Sequence, residues 1–268
     1  MLELENKLFH EDNLLTLGRM PDDYLDLTIT SPPYNVDLGN NKYNKNSYDL
    51  YKDNKDHREY LCWLKTVFEQ VYKKTTSGGR CVINIGDGQN GRVPTHSDVL
   101  QLMVEIGWLP MSTILWEKGE TSNRTAWGSF VSPSAPSFPR SFEFILVFSK
   151  DNFKLIKKGE TDLTNEEFIK WSNATWKMPT AKSSKVKHPA PFPIDLPFRC
   201  IKMLSWVNAV VYDPFMGSGS TAIAAKLLNR RFIGSELSKD YFLLSLERLG
   251  EDVPEEYGIP RQKTIFDL

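Results

Sequence analysis

Cysteine is scarce in this 268-residue chain: Cys62, Cys81 and Cys200 stand far apart and are odd in number. They offer neither a disulfide framework nor a Cys-x-x-Cys metal knuckle. The four histidines, His10, His57, His96 and His188, share no metal-ligand spacing, so no metal site is expected. Net charge is nearly absent as well. Thirty-three basic residues against thirty-four acidic ones leave −1, so a polyanionic partner must be held by a local patch rather than by the whole surface field. No apolar run approaches a membrane span, and the opening MLELENKL is acidic where a secretory signal is basic. These absences imply a cytoplasmic protein without a membrane partner. What is present is ordinary globular composition, 40% hydrophobic and 25% charged. That suffices for one large α/β domain, or two small ones, with a substantial core.

Short β-branched runs alternate with helical patterns, which predicts a doubly wound, mostly parallel α/β sheet of seven strands. The expected strands are Leu8–Glu11, Leu25–Thr30, Arg80–Gly86, Ser112–Trp116, Phe142–Phe148, Ala209–Asp213 and Arg231–Glu236. Residues 58–74 place Tyr60, Leu61, Leu64, Val67, Phe68, Val71 and Tyr72 on one helical face, and 220–229 and 239–249 read as two more helices. Two stretches break the rhythm. Residues 37–56, rich in Asn, Lys, Tyr and Asp, follow a strand end and read either as a surface loop or as a mobile lid. Residues 150–187 carry nine lysines against five acids, and read as a solvated flap or as a polyanion-binding insert. Trp171 and Trp176 within it are expected to pack a small core, and Cys81 is expected to be a core residue.

Two motifs carry chemistry. DPFMGSGST, Asp213 to Thr221, ends one expected strand and opens a helix, and its glycines let the backbone turn tightly beside a ligand. The next strand ends at Glu236, 23 residues beyond Asp213, where a carboxylate can accept hydrogen bonds from a ribose diol. A dinucleotide fingerprint would place glycine where Ala222 stands, and Asp213 would repel a pyrophosphate. A cationic cofactor suits that carboxylate better. The second motif is SPPY, Ser31 to Tyr34, at the end of the strand LDLTIT. Pro32 and Pro33 fix φ and donate nothing, leaving carbonyls exposed. The Ser31 hydroxyl and Pro32 carbonyl form a pair of acceptors for an –NH₂ group, and Tyr34 offers a face for a planar ring.

Together these residues resemble the permuted β-class of S-adenosylmethionine-dependent DNA amino-methyltransferases, the N4-cytosine and N6-adenine enzymes of restriction-modification systems. In that family the catalytic motif comes first, the recognition region next and the cofactor motif last, as do SPPY, residues 150–187 and DPFMGSGST here. FHEDNLL (Phe9–Leu15), KHPAPFP (Lys187–Pro193) before Arg199, and Trp127–Lys150 add to the likeness. The resemblance implies a Rossmann-like methyltransferase fold with a catalytic half at 1–149, a target-recognition insert at 150–187, a cofactor half at 188–250 and a tail at 251–268. It implies a cofactor pocket lined by Asp12, Asn13, Lys187, His188, Phe192, Asp213, Pro214, Phe215, Gly217, Ser218, Gly219 and Glu236, with Asp12 on the adenine. Catalysis falls to Ser31, Pro32, Pro33 and Tyr34 on a flipped base. Double-stranded DNA is the implied partner, with Arg124, Arg140, Lys182 and Lys185 as candidate contacts. A cognate endonuclease would be a separate chain, and a homodimer is open.

Amino nitrogens of cytosine and adenine are poor nucleophiles because their lone pair is conjugated into the ring. Hydrogen bonds to Ser31 and the Pro32 carbonyl favour a tetrahedral nitrogen, so the protein contributes positioning and electrostatics. Carbon-5 methylation needs a cysteine after a proline in its known family, and Leu61, Arg80 and Arg199 precede the three cysteines here. By the same resemblance, serine at position 31 favours cytosine N4, and adenine N6 is the alternative, since either side chain, serine or aspartate, can accept a hydrogen bond from either base. A nicotinamide oxidoreductase, a glutamine or RNA methyltransferase, and a non-catalytic DNA-binding subunit are the rivals. The familiar glutamine and RNA enzymes place the cofactor loop before the catalytic motif, whereas here it follows by 182 residues. Asp87, after CVINIG, reads as a turn residue or as a border of the cofactor site.

Overall fold

Burial on both faces dictates the strands: β-branched and aromatic runs alternate their side chains between two cores. The computed structural model describes residues 3–35, 55–119, 131–136, 138, 140–180 and 192–250. Its elements run β1 (Lys7–His10), α1 (Asn13–Arg19), β2 (Leu25–Thr30), α2 (His57–Lys74), β3 (Thr75–Ile85), α3 (Thr95–Ile106), β4 (Leu109–Glu117) and β5 (Phe142–Ser149). There follow α4 (Asn165–Trp171), β6 (Thr175–Lys177), α5 (Asp195–Leu204), β7 (Val210–Asp213), α6 (Ser220–Leu227), β8 (Arg231–Glu236) and α7 (Lys239–Leu249). The strands form one sheet in the order β1-β8-β7-β2-β3-β5-β4-β6. All neighbours are parallel except β5, which runs antiparallel to both β3 and β4.

Cys81, Ile83, Leu146, Phe148, Val210, Tyr212 and Ile233 point to one core, shared with α1, α2 and α3. Val82, Ile145, Val147, Val211 and Phe232 point to the other, under α4, α5 and α6. Leu25 belongs to the first core while Leu27 and Ile29 belong to the second. A register shift between Leu25 and Leu27 against β3 accounts for that change of face.

The described sheet has eight strands, one more than expected. The added strand, β6, is three residues long and pairs with β4 through Trp116↔Trp176; it is too short to show a period. Trp176 and Trp171 are buried as expected, at 2% and 8% exposure. The start of the lysine-rich stretch is largely exposed but tied to the rest of the domain at several points. Trp206 Nε1 donates to the Lys157 carbonyl (2.8 Å), Arg230 binds Asp162 through two nitrogens (2.6 and 2.9 Å), and Lys202 grips Glu167. Three of its lysines meet carboxylates: Lys150 with Asp23, Lys157 with Asp26 and Lys177 with Glu117. Lys182, Lys185, Lys187, His188, Arg124, the 251–268 tail and nearly all of the 37–56 loop lie outside the described residues. Among the described residues, no helix is long and apolar enough to cross a membrane.

Candidate active site

The strand order reverses between β2 and β7: the chain fills one side through β3, β5 and β4 and the other through β8 and β1. Such a switch point opens a crevice at the carboxyl ends of the strands. Both sequence motifs land there, SPPY after β2 and DPFMGSGST after β7, although 182 residues separate them.

Asp213 joins them. Thr30 Oγ1 donates to its Oδ1 (2.7 Å), Thr221 Oγ1 to its Oδ2 (2.7 Å), and the Phe215 N–H to Oδ1 (3.1 Å). The residue is 1% exposed. Burial pushes its carboxyl up to about 6, opposed by the hydrogen bonds from Thr30, Thr221 and Phe215. Both oxygens thus face protein donors, which makes Asp213 the joint between β2, the glycine loop and α6.

The loop itself is held from several sides. The Met216 N–H donates to Ser235 O (3.0 Å), Asn13 Nδ2 to Pro214 O (3.2 Å), Ser220 Oγ to Phe192 O (3.1 Å) and Arg248 to Ser218 O. Gly219 sits at φ +78°, and a Cβ there would lie 2.9 Å from Ser245 Cβ on α7. Only glycine fits both constraints. Phe215 stacks at a tilt on Trp63 of α2, centroids 5.3 Å apart.

Glu236 closes the far side. Its half-buried carboxylate accepts the Gly217 N–H at Oε2 (2.7 Å) and the Ser238 N–H at Oε1 (2.8 Å). Asp12 caps α1 by accepting the Leu14 N–H (2.8 Å), and its side chain is exposed at the end of β1. Asn13, by contrast, is buried and serves the loop through Pro214.

On the β3 side, Ser31 Oγ lies 2.9 Å from Tyr34 Oη and 3.2 Å from the Asn84 carbonyl. Tyr34 Oη donates to Glu143 Oε2 (2.9 Å), and Asn84 Nδ2 donates to both Tyr34 Oη (2.7 Å) and Glu143 Oε2 (2.8 Å). Lys118 pairs with the other Glu143 oxygen. The Tyr34 ring lies against Gly86, where a Cβ would meet Cε2 at 3.2 Å. Asn84, Glu143 and Lys118 escaped the sequence reading. Residues after parallel strands were the natural place to search, but reversal of β5 brings its first residues to the same edge.

Asp87 is held by local partners. Its side chain is fully buried, accepts from the His96 N–H (3.0 Å) and Nδ1 (2.7 Å), and pairs with Arg140. Burial pushes its carboxyl up, and the His96 and Arg140 hydrogen bonds outweigh that and hold it below the usual range. Arg140 is therefore engaged locally. Arg140→Ala is expected to lower unfolding free energy by about 1–3 kcal/mol, the cost of a buried acceptor losing a charged partner; urea titration measures it. Cys81 is fully buried, and burial pushes its thiol up, so it stores no nucleophile.

Residues 25–247 match the family model described as DNA methylase. The chain is similar to the Type II methyltransferase M.MjaVI of Methanocaldococcus jannaschii, 35% identical over 173 residues, covering 63% of this chain and 85% of that one. Against the Type II methyltransferase M.BglII of Bacillus subtilis it is 28% identical, over 97% of this chain and 73% of that one. Among solved structures it is similar to a putative DNA modification methylase from Thermus thermophilus complexed with S-adenosyl-L-methionine. Identity there is 26%, TM-score 0.70, and coverage 91% and 93%. The cytosine-N4-specific PvuII DNA methyltransferase shares the fold, with TM-score 0.69 at 21% identity over 94% and 89% of the two chains.

Proposed function

The chain belongs to the DNA methylase family of N6- and N4-methyltransferases, and we propose that it methylates the exocyclic N4 of a cytosine flipped out of double-stranded DNA at a specific site. The observation that carries this reading is the Thr30–Asp213–Thr221 joint, which seats an amino-acceptor motif directly beside a glycine-rich cofactor loop.

The residues fit S-adenosylmethionine. Carboxylates of Asp12 and Glu236 stand at the ends of β1 and β8, the two strands that lie beyond β7 and the glycine loop that follows it. A carboxylate has about four lone-pair sites, so Glu236 can hold its two backbone donors and a ribose diol together. Asp12 suits the adenine amino group, and Pro214, Phe215, Gly217 and Ser218 frame the pocket. Phe192, Lys187 and His188 belong to the segment leading into α5. When bound, S-adenosylmethionine supplies an electrophilic methyl group on a sulfonium, which leaves as a neutral thioether while the amino nitrogen gives up a proton. Ser31 Oγ and the Pro32 carbonyl accept the amino hydrogens and turn the nitrogen lone pair outward. Pro33 stiffens the turn, and the Tyr34 ring stacks on the flipped base.

Serine at position 31 favours cytosine N4 by resemblance; adenine N6 presents the same two hydrogens to the same acceptors and is the second reading. Arg124, Lys182 and Lys185 are the proposed phosphate contacts, the two lysines within a proposed recognition region at 150–187 whose strand β6 pairs with β4.

Glu236→Gln is expected to weaken S-adenosylmethionine binding about tenfold, roughly 1.4 kcal/mol, by calorimetric titration. Wild-type affinity would remove Glu236 from the site. The reading as a whole is tested by single-molecule sequencing of DNA from a host whose only methyltransferase is this chain. N4-methylcytosine within one short sequence is expected, N6-methyladenine would select the second reading, and unmodified DNA would overturn both.

A further inference from the structure

A hydroxyl can donate or accept, and the amino-acceptor role requires Ser31 to present a lone pair. The surroundings decide which it does. Glu143 Oε2 receives two groups, Tyr34 Oη at 2.9 Å and Asn84 Nδ2 at 2.8 Å. A carboxylate only accepts, so the Tyr34 proton is committed to Glu143. The same carboxylate fixes the Asn84 amide, because the opposite orientation would set two oxygens against each other. Tyr34 Oη then has only lone pairs to offer Ser31. Ser31 Oγ has two further neighbours on Asn84: the carbonyl at 3.2 Å, which only accepts, and Nδ2 at 3.5 Å, whose two hydrogens are committed to the nearer Tyr34 and Glu143 oxygens. The Ser31 proton is therefore drawn inward in either arrangement, which leaves a lone pair to accept from another donor.

We propose that Glu143 is a positioning residue that sets the direction of this hydrogen-bond chain, making Ser31 an acceptor toward the target amino group. The inference rests on the reading of Ser31 given above. Lys118 serves as the counter-ion of Glu143 on the side away from Tyr34, at the adjoining ends of β4 and β5. Glutamine at 143 would undo the polarity. Its amide can donate to Tyr34 Oη, the tyrosine proton can then turn to Ser31, and the serine proton can turn outward against the incoming –NH₂.

The test measures single-turnover methylation and S-adenosylmethionine affinity for Glu143→Gln, alone and in a Tyr34→Phe background. Glu143→Gln alone should be slowed about 10–100-fold with cofactor affinity unchanged, the scale of one misdirected preorganised hydrogen bond. With phenylalanine at 34 the route through tyrosine is cut, the Asn84 carbonyl at 3.2 Å is the nearest partner left to orient Ser31, and Glu143→Gln should cost less than about twofold. A structural defect would persist in both backgrounds. Glu143→Asp keeps an acceptor-only side chain and should stay within about tenfold of wild type, which serves if glutamine impairs folding. Equal slowing in both backgrounds, wild-type speed for Glu143→Gln, or a Glu143→Asp variant as slow as Ser31→Ala would overturn the proposal while leaving the amino-methyltransferase reading intact. An inactive wild type on DNA of every sequence would overturn that reading instead.

Discussion

Ser31→Ala is expected to slow methyl transfer by about 10²–10³ while leaving S-adenosylmethionine affinity within about twofold of wild type. The hydroxyl is not needed to hold the glycine loop, which is tied to β2 through Thr30 and Asp213. In the proposed reaction it accepts an amino hydrogen as the nitrogen becomes tetrahedral, and alanine leaves the Pro32 carbonyl as the remaining acceptor. The loss should fall on the chemical step rather than on DNA binding, because Tyr34 still supplies the stacking face. Single-turnover rates at saturating DNA measure it. A wild-type rate in Ser31→Ala would mean that the SPPY loop does not handle the amino group.

Asp213 should give the largest stability effect. Alanine there orphans the Thr30 and Thr221 hydroxyls and the Phe215 N–H at a buried joint. Each orphan costs about 1–3 kcal/mol, and relief of the buried charge returns part of that. A net loss of about 2–4 kcal/mol is expected, with weakened cofactor binding because the loop loses its anchor. Asn at 213 keeps one acceptor and removes the titration. The raised carboxyl, about 6 against an ordinary 3.8, means the folded state holds this proton more tightly than the unfolded chain. Stability from that proton is fully present below the ordinary value and is lost as pH rises through the folded one. Wild type should therefore gain about 1.4 kcal/mol on Asp213→Asn between pH 8 and pH 5. Denaturant titrations at the two pH values test the sign, and a gap that moves the other way would place the carboxyl low.

Much of this was legible in the sequence. Strands β2, β5, β7 and β8 lie within one residue of their expected bounds because each is buried on both faces and reads as a β-branched run. Helices α2, α6 and α7 followed from their apolar periodicity. Strand β3 begins at Thr75 rather than Arg80, since Gly78 and Gly79 read as a break although the chain bulges through them. Helices α1 and α4, seven residues each, are too short to establish a period. Asp213 was found from its place at a strand tip, yet its role as a joint depends on Thr30, a partner 183 residues away. Glu143 could not be found by spacing at all. It sits inside an apolar strand whose reversed direction becomes visible only in the pairing of Glu143 with Trp116 across from β4.

The most direct test of the central claim is to incubate the purified chain with DNA and S-adenosylmethionine labelled in the methyl group, digest to nucleosides and locate the label. The Ser31–Pro32 acceptor pair predicts label on an exocyclic amino nitrogen, and the proposed cytosine reading makes N4-methylcytosine the expected product. Label on cytosine carbon-5, or none on DNA, would contradict it.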